Sequence, residues 1–198
     1  MLVMADSLND IQRYYANVGI TASALRNLGA PKVVESARIF LAEMDLKPLK
    51  SLEPIGYSDW LEKQTQALMR KFPETCRTYW GPARKAVNIF MTMAALSRHL
   101  CEAYGLDRLE SVMETPLDGI AQKKLRKWAQ DRQLFIVGEF PDWKSIKALN
   151  KENSDKYQRI AFDVAQVVGT PRGRLDVILW DRNPNRLISL ESPPTPKS

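Results

Sequence analysis

The stretch that decides the fold is Cys76–Gly105, CRTYWGPARKAVNIFMTMAALSRHLCEAYG. Gly81 and Pro82 form a tight turn, and proline suits the first position of a helix because its missing N–H has no partner there anyway. The spacing predicts a helix from this turn to about Tyr104, stopped by Gly105. Ala86, Val87, Ile89, Phe90, Met93, Ala94 and Leu96 cover most of its circumference. A helix apolar nearly all round belongs at the centre of a structure, with other helices packed about it.

Helical periodicity continues on both sides of this centre. Ser7 caps a helix ending at Gly19, with Leu8, Ile11, Tyr15 and Val18 on one stripe. Thr21 or Ser23 starts a short helix that ends at Gly29. Pro31 opens the next helix, whose buried face is Val34, Ala37, Phe40, Leu41 and Met44. Pro48, Pro54 and Gly56 break the following segment into a connector. Ser58 caps an amphipathic helix that ends before Pro73. Beyond Gly105 come a short helix or turn at LDRLESVME, a helix opening at Thr115–Pro116, and a loop over Leu134–Trp143. Two amphipathic helices follow, SDKYQRIAFDVAQVVG and RLDVILWDR, separated by Pro171 and Gly173. The expected fold class is all-α, two helical lobes flanking a cleft. Residues 1–187 form one unit of two interleaved lobes with a hairpin around 68–104, and 188–198, rich in proline and serine, form a flexible tail.

Composition narrows the chemistry. The 198 residues are 44% hydrophobic and 26% charged, ordinary for a globular protein with a sizeable core. Lys and Arg number 29 against 23 Asp and Glu, a net charge of +6 that suits a polyanionic partner. Cys76 and Cys101 are too few for a disulfide framework or an iron–sulfur cluster, and read as reduced thiols. One histidine, His99, leaves little material for Ser-His-Asp or multi-histidine metal chemistry. No metal or cofactor is therefore expected. The N-terminus lacks a basic, apolar leader, and no apolar run reaches the roughly eighteen residues of a membrane span. A cytoplasmic monomer, nucleoid-associated in a bacterium or archaeon, is the expectation.

Tyr79-Trp80-Gly81-Pro82-Ala83-Arg84-Lys85-Ala86-Val87-Asn88 resembles the second half of the hairpin in helix-hairpin-helix DNA glycosylases. Gly81, Arg84, Lys85 and Asn88 agree with that motif in type and order, whereas Ala83 replaces its second glycine and Trp80 its proline. TPLDGIAQKKL is similar to the family's aspartate segment, with Asp118 at the aspartate position. The separation between Lys85 and Asp118 is longer than in endonuclease III-like enzymes and closer to the archaeal 8-oxoguanine DNA glycosylases. Asp176 and Trp180, one helical turn apart, repeat the spacing of an acid and a tryptophan that in those enzymes lie at the damaged base.

The resemblance implies base excision with strand cleavage. A neutral lysine amine, Lys85, attacks the anomeric carbon of the nucleotide, expels the base and leaves a Schiff base, while Asp118 handles the proton and the positive charge on the sugar. Burial beside a cation such as Arg84 would favour the neutral amine. The target base must leave the duplex. Trp60 and Trp180 are the candidates to stack on it, and Asp176 to accept hydrogen bonds from a purine such as 8-oxoguanine. Gly81, Ala83 and Arg84 of the hairpin, with Lys123, Lys124, Arg172 and Arg174, are the candidates for phosphate contacts on double-stranded DNA. Two alternatives stand beside this enzyme: a non-catalytic DNA-binding module in a DNA-processing or defence system, and a helical protein-interaction domain.

Overall fold

The computed structural model describes residues 2–25, 28, 30–132 and 143–179, with backbone alone for residues 2–6. Among the described residues there are eight α-helices and no strand: α1 (Leu2–Gly19), α2 (Val33–Glu43), α3 (Tyr57–Lys71), α4 (Trp80–Leu96), α5 (Arg98–Tyr104), α6 (Gly119–Asp131), α7 (Lys151–Val168) and α8 (Leu175–Leu179). No helix among these residues is long and apolar enough to cross a membrane. Trp180, residues 134–142 of the expected loop and the expected tail from 188 lie outside the described residues.

Two hydrophobic cores organise the helices. The first gathers Ala16 and Ile20, Ala37 and Leu41, Leu61 and Leu68, and Ala83, Ala86, Val87 and Phe90. It is closed at one end by Leu100, Leu106 and Leu109. The second contains Leu117, then Ala121, Leu125 and Trp128 of α6, Trp143 and Leu149, Tyr157, Ile160 and Val164 of α7, and Leu175 and Leu179 of α8. Trp80, at the start of α4, belongs to this second core. One helix thus feeds both cores, as its apolar circumference demands.

Local differences from the sequence reading have physical causes. The long central helix breaks at Ser97, whose backbone turns extended and whose Oγ accepts a hydrogen bond from Leu100 N. A serine caps a helix better than it continues one, so α4 ends and α5 begins. Helix α6 starts at Gly119, later than Thr115–Pro116, because Asp118 provides the stronger cap. Residues 22–25 form a turn rather than a helix. Helix α1 turns Val18 to solvent and buries Gln12, Ala16 and Ile20. The Gln12 Nε2 donates to the Leu41 and Met44 carbonyls at 2.9 and 2.8 Å, satisfying acceptors that the end of α2 leaves open.

Gly81 is required by packing. A Cβ there would lie 2.3 Å from the Ile146 carbonyl oxygen and 2.8 Å from Leu149 Cβ. The segment that carries Ile146 and Leu149 lies directly on the first turn of α4. Gly81→Ala should therefore lower stability by about 1–3 kcal/mol, as overpacking does where backbone is the obstacle. Urea unfolding followed by circular dichroism measures it, and a neutral Gly81→Ala would mean that this segment gives way freely.

Candidate active site

Helix α4 presents two polar stripes to two different surroundings. Arg84 and Asn88, one turn apart, face inward. The Arg84 Nε and Nη2 donate to the two Glu114 carboxylate oxygens at 3.0 and 3.1 Å, a bidentate pair at 2% exposure of the arginine. Arg84 Nη1 donates to Thr65 Oγ1 at 3.0 Å and lies 3.4 Å from a Glu62 oxygen. Asn88 Nδ2 donates to Glu114 as well, at 3.1 Å. The Trp80 ring covers the guanidinium at 5.0 Å and its indole N–H donates to Glu62. These partners satisfy a charge that burial would otherwise make costly.

Glu114 belongs to a non-helical segment that is itself strapped down. Gln158 of α7 makes a reciprocal pair with the Thr115 backbone, its Oε1 accepting from Thr115 N at 3.1 Å and its Nε2 donating to Thr115 O at 2.7 Å. Arg172 donates to the Met113 and Val112 carbonyls at 2.9 and 2.7 Å. Burial pushes the Arg172 guanidinium below its ordinary pKa, and the Glu114 charge opposes that shift. Arg172 therefore supports backbone. Leu117, buried in the second core, fixes the end of the segment.

Asp118 follows at once. Its Oδ1 accepts from Ile120 N at 2.8 Å and Ala121 N at 2.9 Å, capping α6. Two backbone donors and the positive end of a helix hold the carboxylate in one orientation. Its other oxygen, Oδ2, lies 3.5 Å from Lys85 Nζ. Lys85 stands next to Arg84 in sequence but, about 100° further round the helix, shares the cleft-facing stripe with Ile89. The pair is nearly buried, the side chains being 9% and 13% exposed.

Lys85 and Asp118 both line a cleft of about 860 Å³. Its walls come from the turn after α1 (Gly19, Thr21), from α4, from the start of α6, from Trp143–Lys147, and from Asp176 of α8. The structure thus brings together three residues singled out from sequence, Lys85, Asp118 and Asp176, with Lys123 at the same cleft. Among the described residues no group of three or more His, Cys, Asp or Glu is placed to hold a metal ion. His99 is exposed on α5, away from the cleft lining.

The other sequence candidates are corrected. Trp60 is a core residue, stacked on Tyr57 with ring centroids 5.7 Å apart, and does not line the cleft. Gly81 and Ala83 are buried beneath neighbouring chain and offer no surface to phosphate. Arg84 is consumed by Glu114 and Arg172 by backbone carbonyls. Its pairing with Glu114 and Glu62 also removes Arg84 as the uncompensated cation expected beside Lys85. Arg174 is half exposed and paired with Glu110. Lys124 is half-buried on α6 and does not line the cleft. Trp180 lies outside the described residues. Sequence reading missed Glu114 and Gln158, whose partners are distant in the chain, and missed Trp143, Lys144 and Lys147 at the cleft. Polar residues strung through an irregular segment have no periodicity to betray them.

Comparison with known protein families, with curated proteins and with solved structures gives no match for this chain.

Two predictions follow from this geometry. Arg84→Ala leaves Glu114 buried without its main partner and should cost about 3–5 kcal/mol, read by chemical unfolding. Asp118→Ala should cost about 0.5–2 kcal/mol more than Asp118→Asn, since asparagine caps a helix as well as aspartate does. Equal stability of the two Asp118 variants would remove the cap from the account.

Proposed function

We propose that this chain is a DNA glycosylase with AP-lyase activity, Lys85 being the nucleophile and Asp118 its proton partner. The observation that carries this reading is an amine and a carboxylate 3.5 Å apart, from elements distant in sequence, at the wall of an open cleft. A structural ion pair needs no such opening. A covalent catalyst needs its nucleophile, a base within reach and room for a substrate together.

The steps follow from these two groups. Asp118 Oδ2 takes a proton from Lys85, leaving a neutral amine. The Nζ lone pair forms a bond to C1′ of an extruded nucleotide as the N-glycosidic bond breaks, its electron pair leaving with the base. The proton that the adduct's nitrogen loses passes to O4′ as the C1′–O4′ bond opens, giving an iminium that links Lys85 to the ring-opened sugar. Removal of a C2′ proton then expels the 3′ phosphate by β-elimination. The Asp118 carboxylate also stabilises positive charge on the sugar. Its fixed orientation, set by the two backbone donors on Oδ1, spares reorganisation at the moment of reaction.

The helix-hairpin-helix resemblance of residues 79–88 supports the same chemistry, with a modified purine such as 8-oxoguanine as the proposed base. Asp176 lines the cleft and would accept hydrogen bonds from purine N–H groups. Trp143, whose ring packs edge-on against Tyr157 at 4.7 Å, gives the cleft an aromatic border where Trp60 does not.

Borohydride tests the proposal, since it reduces an iminium to a stable secondary amine. A duplex carrying 8-oxoguanine or an abasic site should be trapped as a covalent adduct by the wild-type chain. Lys85→Gln should abolish trapping, and Asp118→Asn should slow it by about two orders of magnitude or more. Absence of an adduct with the wild-type chain across a panel of damaged duplexes would end the lyase reading.

A further inference from the structure

Four lysines, Lys85, Lys123, Lys144 and Lys147, line the cleft against two aspartates, Asp118 and Asp176. Lys85 and Asp118 neutralise one another. The remainder is three lysines against one carboxylate. Lys123 lies on the second turn of α6, exposed, and Lys144 is exposed on the segment that follows Trp143. Lys147, half-buried on that same segment, has its ammonium 5.4 Å over the Tyr79 ring. No ion pair to a carboxylate holds any of the three among the described residues.

The segment that bears Lys144 and Lys147 is the one that buries Gly81 through Ile146 and Leu149. It therefore covers the glycine turn expected to meet phosphate and brings two cations to the cleft. We propose that Lys123, Lys144 and Lys147 form the phosphate-binding edge of the cleft, and that its occupant is duplex DNA with one nucleotide extruded toward Lys85. This rests on the lyase reading of Lys85 and adds the anchoring surface.

The connectivity of a nucleotide favours this occupant. When C1′ is at Lys85, the two flanking phosphates are only a sugar's breadth away, so they must meet the lip of the cleft. The further cations that line the cleft are Lys123 of α6 and Lys144 and Lys147 of the 143–147 segment. Ammonium groups are compact point charges that engage phosphate without reading sequence, as an enzyme acting on damage at any position requires.

Fluorescence anisotropy of a duplex with a single tetrahydrofuran abasic analogue, which forms no Schiff base, tests the proposal on the full chain. The salt dependence is the deciding readout. Replacing a lysine that neutralises one phosphate should reduce the slope of log K against log salt by about 0.9. The triple variant Lys123→Gln, Lys144→Gln, Lys147→Gln should lose between two and three in slope and about tenfold or more in affinity at low salt. Circular dichroism should show an unchanged fold, as Lys123 and Lys144 are exposed and half-buried Lys147 belongs to neither hydrophobic core. Wild-type slope and affinity in the triple variant would overturn the proposal. So would equal displacement of the duplex by polyglutamate or by an RNA duplex of the same charge. Borohydride trapping keeps the two readings apart. An adduct with the wild-type chain, together with unaltered binding by the triple variant, removes the lysine edge and leaves the lyase. A reduced slope with no adduct on any damaged duplex removes the lyase and leaves the edge.

Discussion

The bidentate contact between Arg84 and Glu114 is the constraint on which the cleft depends. It joins the central helix to an irregular segment thirty residues further along the chain. Thr65 Oγ1 accepts from Arg84, Asn88 donates to Glu114, and a Glu62 oxygen lies 3.4 Å from the guanidinium, so the two interior charges are held among polar partners. A pair of this kind adds little net stability compared with a well-packed apolar substitute. Its effect is geometric. A guanidinium and a carboxylate meet in few arrangements, and the segment that carries Glu114 is thereby placed against α4 in one register.

The placement of Lys85 and Asp118 follows from that register. Arg84 and Lys85 are neighbours in sequence, and Glu114 and Asp118 lie four residues apart. The inner pair locks the two strands of chain together, and the outer pair then meets at the cleft. Gln158 and Arg172 tie the same segment to α7 and to the turn before α8, so it is braced from the side of the second core as well as by α4. An orienting network behind a reactive pair is what a covalent mechanism needs, because small displacements of a nucleophile reduce its rate steeply. Two of the three arginines expected at DNA, Arg84 and Arg172, are part of that brace, and the third, Arg174, pairs with Glu110.

Much of the fold was legible in residue order. Helices α2, α3, α6 and α7 appear where apolar periodicity indicates them, within a few positions, although Ser58, expected to cap α3, lies inside its first turn. Lys85 and Asp118 were legible because short motifs carried them, and the structure places them together. Gly81 was read as a turn residue facing phosphate, whereas its close neighbour is backbone at Ile146, brought from far along the chain. Trp60 illustrates the opposite limit. A tryptophan on an amphipathic helix has the same local signature whether it fills a core or lines a pocket, and burial against Tyr57 decided it.

By itself, the sequence determined the helical class, the centrality of α4 and the residue types available for chemistry, because 3.6-residue periodicity, caps and charge are local properties of a chain. Only the tertiary structure decided which cations are spent on the interior and which face the cleft. Adjacent residues on one helix, Arg84 and Lys85, differ by about 100° in direction, and what waits in each direction is set by chain that arrives from elsewhere. Burial and pairing are properties of that arrival, and no pattern within ten residues encodes them.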